Sequence, residues 1–214
     1  MESGDGMKLF CLGDSLTFGF GVPRAARWTT LLEREIGWDV VNLGINGDTT
    51  AGMLSRLAPQ VLSEIEGRAG RISSRVILMG GSNDVFFSGT DAQARANMAA
   101  MCHRLMGDGV RPMLGISLPV DWRNAPRQWA EAVDFEHAAR VMEEYCAWLK
   151  RFGRAFNLPV VDFAADFTDG GEPKHELFLD GLHPNGEGHR LMAARMERAL
   201  RPVPHGEDTR EETV

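Results

Sequence analysis

The chain is punctuated by apolar runs of strand length, Lys8 to Leu12, Asp39 to Leu43, Arg75 to Met79, Arg111 to Ser117 and Pro159 to Phe163, with longer segments of helical character between them. Strands that alternate with helices are the signature of βαβ units and a parallel sheet. The runs are continuously apolar rather than alternating with polar residues, as expected of strands whose sheet is covered by helices on both faces. Helices are expected over Trp28 to Ile36, Thr50 to Glu66, Asp91 to Gly107, Asp134 to Gly153 and Gly186 to Leu200. In the third, Ala92, Ala96, Ala99, Ala100, Met101 and Leu105 recur with the period of a helix face. Asp91 and Asp134 are read as N-caps, Gly107 and Gly153 as helix stops. Right-handed crossovers then give an open α/β/α sandwich that binds its ligands outside the carboxyl ends of the strands.

The polar residues fall where that rule places chemistry. Asp14 and Ser15 follow the first run, Asn46 to Asp48 the second, and Ser82 to Asp84 the third. Gly13-Asp14-Ser15-Leu16 lies between a strand and a helix, so Ser15 is expected at the rim of the sheet, beside the backbone N–H groups of a turn. A serine hydroxyl becomes a useful nucleophile only when a base takes its proton. Asp180-Gly181-Leu182-His183-Pro184 supplies the candidate: the carboxylate can hold Nδ1–H of His183 while Nε2 faces Ser15, with Pro184 stiffening the turn. Gly47 offers an N–H before a helix without a Cβ, and Asn83 an amide side chain; both suit a developing oxyanion. Asp14 and Asp84 are read as capping or turn-bonding residues.

Gly13-Asp14-Ser15-Leu16, Gly47, Gly81-Ser82-Asn83-Asp84 and Asp180-Gly181-Leu182-His183-Pro184 resemble, in order and spacing, the blocks of the SGNH (GDSL-type) hydrolase family. Leu12 to Gly21 and Val41 to Leu57 look like the small bacterial members described as thioesterases, lysophospholipases and arylesterases. The resemblance implies a flavodoxin-like α/β/α fold with a five-stranded parallel sheet. It also implies Ser15 as nucleophile, His183 as base, Asp180 as its orienter, and an oxyanion hole made of the N–H groups of Ser15 and Gly47 with the Asn83 amide. The implied activity is serine-dependent hydrolysis of acyl esters, with no metal or organic cofactor. Two rivals stand beside it: an O-acetyl deacetylase using the same residues, and a non-catalytic binding module that has kept the pocket.

Other residues leave alternatives open. Phe86 and Phe87, beside Asn83, either line an acyl pocket or pack. Trp122 and Trp129, in the long segment from Leu118 to Ala132, form either a lid or a hydrophobic seal. Phe178, in the long segment from Ala164 to Pro184, is a further pocket candidate. His175, Asp180 and His183 can be read as a metal cluster, but no H-x-x-x-H or matched second cluster supports it. His103, His137 and His189 are read as surface or packing residues.

At 214 residues the chain fits one domain, expected over 1–204, followed by an acidic tail over 205–214 expected to be frayed. A net charge of -7 without a Lys/Arg cluster argues against a nucleic-acid partner, leaving a small acyl ester as the expected one. No apolar run approaches the ~20 residues that span a bilayer. The N-terminus lacks the basic and apolar regions of a signal peptide, so a cytoplasmic location is expected. Cys11, Cys102 and Cys146 are odd in number and widely spaced, which favours buried apolar roles over a disulfide or zinc knuckle. No glycine loop has nucleotide-binding spacing.

Overall fold

The computed structural model describes residues 6–65 and 67–201. Its centre is a five-stranded sheet in the order β2-β1-β3-β4-β5, formed by β1 (Lys8–Gly13), β2 (Asp39–Gly44), β3 (Ser74–Met79), β4 (Met113–Ile116) and β5 (Val160–Asp162). All pairings are parallel. This is the flavodoxin-like order, whose switch point lies between β1 and β3.

Why the strands are apolar on both faces is visible in β1. Phe10 and Leu12 enter a core with α3 (Thr50–Gln60), α6 (Ala92–Gly107) and α7 (Phe135–Ala155). Leu9 and Cys11 point the other way, towards Trp28 and Leu32 of α2 (Trp28–Ile36) and Met192 and Met196 of α8 (Gly186–Leu200). Side chains alternate across a strand, so a strand between two helical layers is apolar at every position.

Several boundaries differ from expectation for identifiable reasons. The fourth and fifth strands are shorter, starting after Pro112 and Pro159, which have no N–H to give a ladder. The second helix ends at Gln60, with Pro59 in its last turn, and a 3₁₀ turn follows over Leu62–Glu64; Glu66 lies outside the described residues. Gly153 does not stop α7, which continues to Ala155. A Cβ there would lie 2.5 Å from Val160 Cγ2, so this glycine lets the helix approach the sheet. Beyond the helix, Asn157 takes the left-handed conformation instead. On α6, Gly107 is the last helical residue but the positive φ falls at Gly109. The buried face of α6 is Ala94, Asn97, Met98, Met101, Cys102 and Leu105, while Ala92, Ala96 and Ala100 are exposed. Long Met and Leu side chains, not alanine methyls, decided which face turned inward. Asp134 caps α7 through the N–H of His137, whereas Asp91 sits at its cap position bound to Arg95 instead.

The motif at Ser15 opens a helix of a single turn, α1 (Ser15–Phe18), and the pattern of long apolar helices gave no sign of two further short ones, α4 (Gly67–Ser73) and α5 (Ser82–Ser88). The segment from Ala164 to Pro184 is not bare loop. It holds an antiparallel ribbon of β6 (Thr168–Asp169) with β7 (Glu172–Pro173) and a 3₁₀ turn over His175–Leu177, and Arg195 of α8 grips Asp166 through two bonds of 2.8 and 2.6 Å. No helix among the described residues is long and apolar enough to cross a membrane. The expected tail over 205–214 lies outside the described residues.

Candidate active site

Ser15 is the first residue of α1, directly beyond β1. The buried carboxylate of Asp14 caps this helix, accepting the N–H of Leu16 at 2.9 Å. The N–H groups of a first helical turn have no partner within the helix, so that of Ser15 is available to a ligand. Asn42 of β2 fastens the turn by donating to the carbonyl of Thr17 at 2.7 Å and to Thr29 Oγ1 at 2.8 Å. Gly44 admits it: a Cβ there would sit 2.1 Å from the backbone nitrogen of Phe18.

Ser15 Oγ lies 3.0 Å from Nε2 of His183. On the far side of the ring, Nδ1 is 2.8 Å from Asp180 Oδ2. Asp180 Oδ1 accepts the backbone N–H groups of His183 (2.8 Å) and Leu182 (3.1 Å), so one carboxylate fixes both the turn and the ring. Burial pushes the Asp180 carboxyl up, but these bonds from the ring and backbone outweigh it and hold it below the usual carboxylate value. The ring of Phe20 covers the imidazole at 4.4 Å, and His183 is almost wholly buried. An imidazole so held can take a proton from the hydroxyl it faces and return it to a departing group.

Ser15, Gly47, Asn83 and His183 border one cavity of about 690 Å³. Gly47 has φ +73°, and a Cβ there would meet nothing within 4 Å. Glycine is thus favoured by the backbone conformation, not by lack of space. The Asn83 amide donates to the carbonyl of Asp48 at 2.8 Å, which uses one of its two N–H bonds. The walls are mostly apolar, with Phe86, Leu118, Val120, Trp129, Val133 and Phe135 prominent. Phe86 meets Phe135 edge to face at 5.5 Å, while Phe87 is 71% exposed at the rim.

Two pocket candidates belong elsewhere. Phe178 is buried against Phe167 in the core beneath α8, because the extended segment bridging to Pro184 sends alternate side chains inward and outward. Trp122 lines a separate cavity of about 780 Å³ beside α7 and the ribbon. Asp121, just before it, is pinned through its N–H to the carbonyl of Gly181 at 2.9 Å, and the chain leaves on the far side of the wall Leu118 to Val120. His175 stands exposed beside Glu176, and among the described residues no three His, Cys, Asp or Glu are grouped to hold a metal.

The surroundings of the site give other polar residues their partners, with Asp14 and Asp84 in the capping and turn-bonding roles expected of them and Thr50, Asn97 and Tyr145 beside them. Asp84 accepts the N–H and hydroxyl of Thr50 at 2.8 and 2.6 Å, and Asn97 donates to the same hydroxyl at 3.0 Å. Tyr145 donates to the carbonyl of Gly80 at 3.1 Å. Asp14 Oδ2 is buried without a partner. Burial raises this carboxyl to about 6, against the Leu16 N–H bond and the His183 charge, which lower it. His189, fully buried, accepts the N–H of Trp28 at 3.2 Å and is lowered to about 4, first by burial and then by the charges of Arg27 and His183. His137 bonds the carbonyl of Gly89, and His103 packs edge-on to Phe152 and Phe156. Burial raises the thiols of Cys102 and Cys146 to about 12, and that of Cys11 upward as well, which makes all three poor nucleophiles.

The model of the GDSL-like lipase/acylhydrolase family matches residues 11–191, which include every block of this site. The chain belongs to that family. It is 32% identical over 202 residues to esterase TesA of Pseudomonas aeruginosa, covering 91% of this chain and 88% of that one. It is 25% identical over 207 residues to thioesterase 1/protease 1/lysophospholipase L1 of Escherichia coli, covering 91% and 84% respectively. Among solved structures, a lipolytic protein of the G-D-S-L family from Veillonella parvula superposes with a TM-score of 0.78 at 21% identity, covering 92% of this chain and all (100%) of that one.

Proposed function

We propose that this acylhydrolase cleaves acyl esters through a covalent acyl-enzyme on Ser15. The observation that carries the reading is the continuous relay from Ser15 Oγ to His183 Nε2 (3.0 Å) and from His183 Nδ1 to Asp180 (2.8 Å), opening onto an apolar cavity. Ser15 attacks the acyl carbonyl as His183 takes its proton. The N–H groups of Ser15 and Gly47 and the second N–H of Asn83 receive the negative charge that forms on the carbonyl oxygen. His183 returns the proton to the leaving alcohol or thiol. A water then enters by the reverse sequence and releases the acid. No group beyond these side chains is required.

The cavity's apolar walls suit an acyl chain of several carbons better than an acetyl group. Each methylene buried contributes about 0.8 kcal/mol, so kcat/KM should climb about fourfold per methylene until the space is filled. An O-acetyl sugar would instead call for more polar walls than those that Val120, Val133 and Phe135 provide. The relatives named as an esterase and a thioesterase make both oxyesters and thioesters reasonable leaving groups. The test is a ladder of p-nitrophenyl esters from acetyl to dodecanoyl, with matching acyl-CoA thioesters, on the parent and Ser15→Ala. The expected result is a rise with chain length in the parent and a loss of ~10⁴-fold or more in the variant. A folded Ser15→Ala protein that keeps most of its activity would overturn the reading. Absence of turnover on every substrate would favour a binding module.

A further inference from the structure

Arg56 of α3 is only 8% exposed, and its guanidinium makes four hydrogen bonds and a further ion-pair contact. Nε donates its N–H to Asp48 Oδ2 at 2.8 Å, and Nη2 forms an ion pair with the same oxygen, also at 2.8 Å. One of the N–H groups of Nη2 goes to the carbonyl of Gly13 at 2.8 Å. Those of Nη1 go to the carbonyl of Leu43 at 2.6 Å and to Gln60 Oε1 at 3.0 Å. These acceptors stand in the segments that carry the oxyanion donors. Gly13 ends β1, two residues before Ser15. Leu43 lies near the end of β2, whose exit loop leads to Gly47. Asp48 follows Gly47, and its carbonyl holds the Asn83 amide. Ile45 ties the first two segments again, donating its N–H to Gly13 at 3.1 Å. Behind Asp48, Gly52 leaves room for the carboxylate in this position: a Cβ there would lie 1.8 Å from Asp48 Oδ1.

We propose that Arg56 is a positioning residue for acyl transfer. By bridging Gly13, Leu43 and Asp48, its guanidinium sets the spacing among the Ser15 N–H, the Gly47 N–H and the Asn83 amide. The inference rests on the serine reading above and adds to it the part that aligns the three donors. A planar, forked cation is suited to this, since it can satisfy acceptors in several directions at once from one rigid plane; a lysine ammonium at the same place presents a single nitrogen. Oxyanion donors act on the transition state, where a misplacement of about 1 Å can cost ~10²-fold in rate. Loss of alignment should therefore appear in kcat and not in ground-state binding.

The experiment compares the parent, Arg56→Lys and Asp48→Asn by kcat, KM, and affinity for two ligands of equal chain length. One is an alkylboronic acid, which forms a tetrahedral adduct on Ser15; the other is the corresponding alkyl alcohol, which fills the acyl cavity without forming one. A folded Arg56→Lys enzyme is expected to lose ~10²-fold in kcat, as for loss of one oxyanion donor. Its boronate affinity should fall in parallel, while KM and alcohol affinity stay within about threefold. Asp48→Asn, which keeps the shape of the loop but not its charge, should move the same two quantities in the same direction. Unchanged kcat and boronate affinity would overturn the proposal, as would a parallel loss of alcohol binding. Failure of both variants to fold would also overturn it, by assigning Arg56 to folding. A parent enzyme that does not react with a fluorophosphonate at Ser15 defeats the serine reading itself; a parent that reacts, beside an undiminished Arg56→Lys enzyme, defeats the positioning role alone.

Discussion

The carboxylate of Asp180 reaches the imidazole of His183 across a single tight turn, at 2.8 Å, because Gly181 between them adopts φ +77°. A side chain at Gly181 would strike backbone as well, lying 2.6 Å from the carbonyl of Asp121. The same turn therefore orients the imidazole and docks the segment that forms the cavity wall.

Asp180→Asn separates these two tasks. An asparagine oxygen can still accept the N–H groups of Leu182 and His183, so the fold should hold, with a urea midpoint near that of the parent. The charge supporting the imidazolium and the ring's orientation are lost, and kcat should fall by ~10²-fold or more. Retention of parental turnover in a folded variant would remove Asp180 from the relay.

Asp14 should make stability depend on pH. Its carboxyl stands at about 6 in the folded protein against 3.8 for an ordinary carboxylate. Between those values the folded chain holds a proton that the unfolded chain has released. The contribution of this group to stability therefore declines as pH rises from about 4 through about 6, by on the order of 3 kcal/mol. Asp14→Asn abolishes the titration and keeps an acceptor for Leu16. Urea denaturation at pH 4 and pH 7 should show the variant gaining on the parent as pH rises; a constant difference would contradict this.

His189 acts with the opposite sign. Burial and the neighbouring charges lower it from 6.5 to about 4, so the folded chain keeps it neutral where the unfolded chain takes up a proton. Stability from this group is intact above about 6.5 and is lost as pH falls towards 4, by on the order of 3 kcal/mol. In His189→Asn the side-chain oxygen can replace Nδ1 as acceptor for Trp28 and does not titrate. The variant should lose less stability than the parent between pH 7 and pH 4.5, as read from the urea midpoints.

Val133 is half-buried in the wall of the catalytic cavity. Val133→Phe removes space from the acyl end and leaves the relay alone. If two methylenes lose their place, kcat/KM for the longest good substrate should fall ~15-fold at about 0.8 kcal/mol each, with acetyl ester hydrolysis little changed. Equal loss on all chain lengths would mean that this wall does not hold the acyl chain.

How far the sequence carried depended on whether a feature was local. The α/β/α class and the sheet's five strands followed from apolar runs, and the contact of Asp180 with His183 from their lying three residues apart. Ser15 and His183, 168 positions apart, were paired through motif and strand-end placement, without any local signal of their contact. Arg56 was invisible for the same reason: its partners lie on three segments, and an arginine in an amphipathic helix reads as solvent-facing until the fold buries it. Phe178 and Trp122 could not be placed because one residue of register decides which side of the chain a side chain leaves. The extent of α1, and α5 altogether, could not be read because four and seven residues are too few to display a period.

The central claim is that Ser15 is the nucleophile, and peptide mapping after treatment with an alkyl fluorophosphonate tests it most directly. The account predicts one adduct per chain, on the peptide carrying Ser15, formed at the rate at which activity is lost, and absent from Ser15→Ala and greatly slowed in Asp180→Asn. An active enzyme that remains unlabelled, or that is inactivated by modification of a different residue, would contradict it.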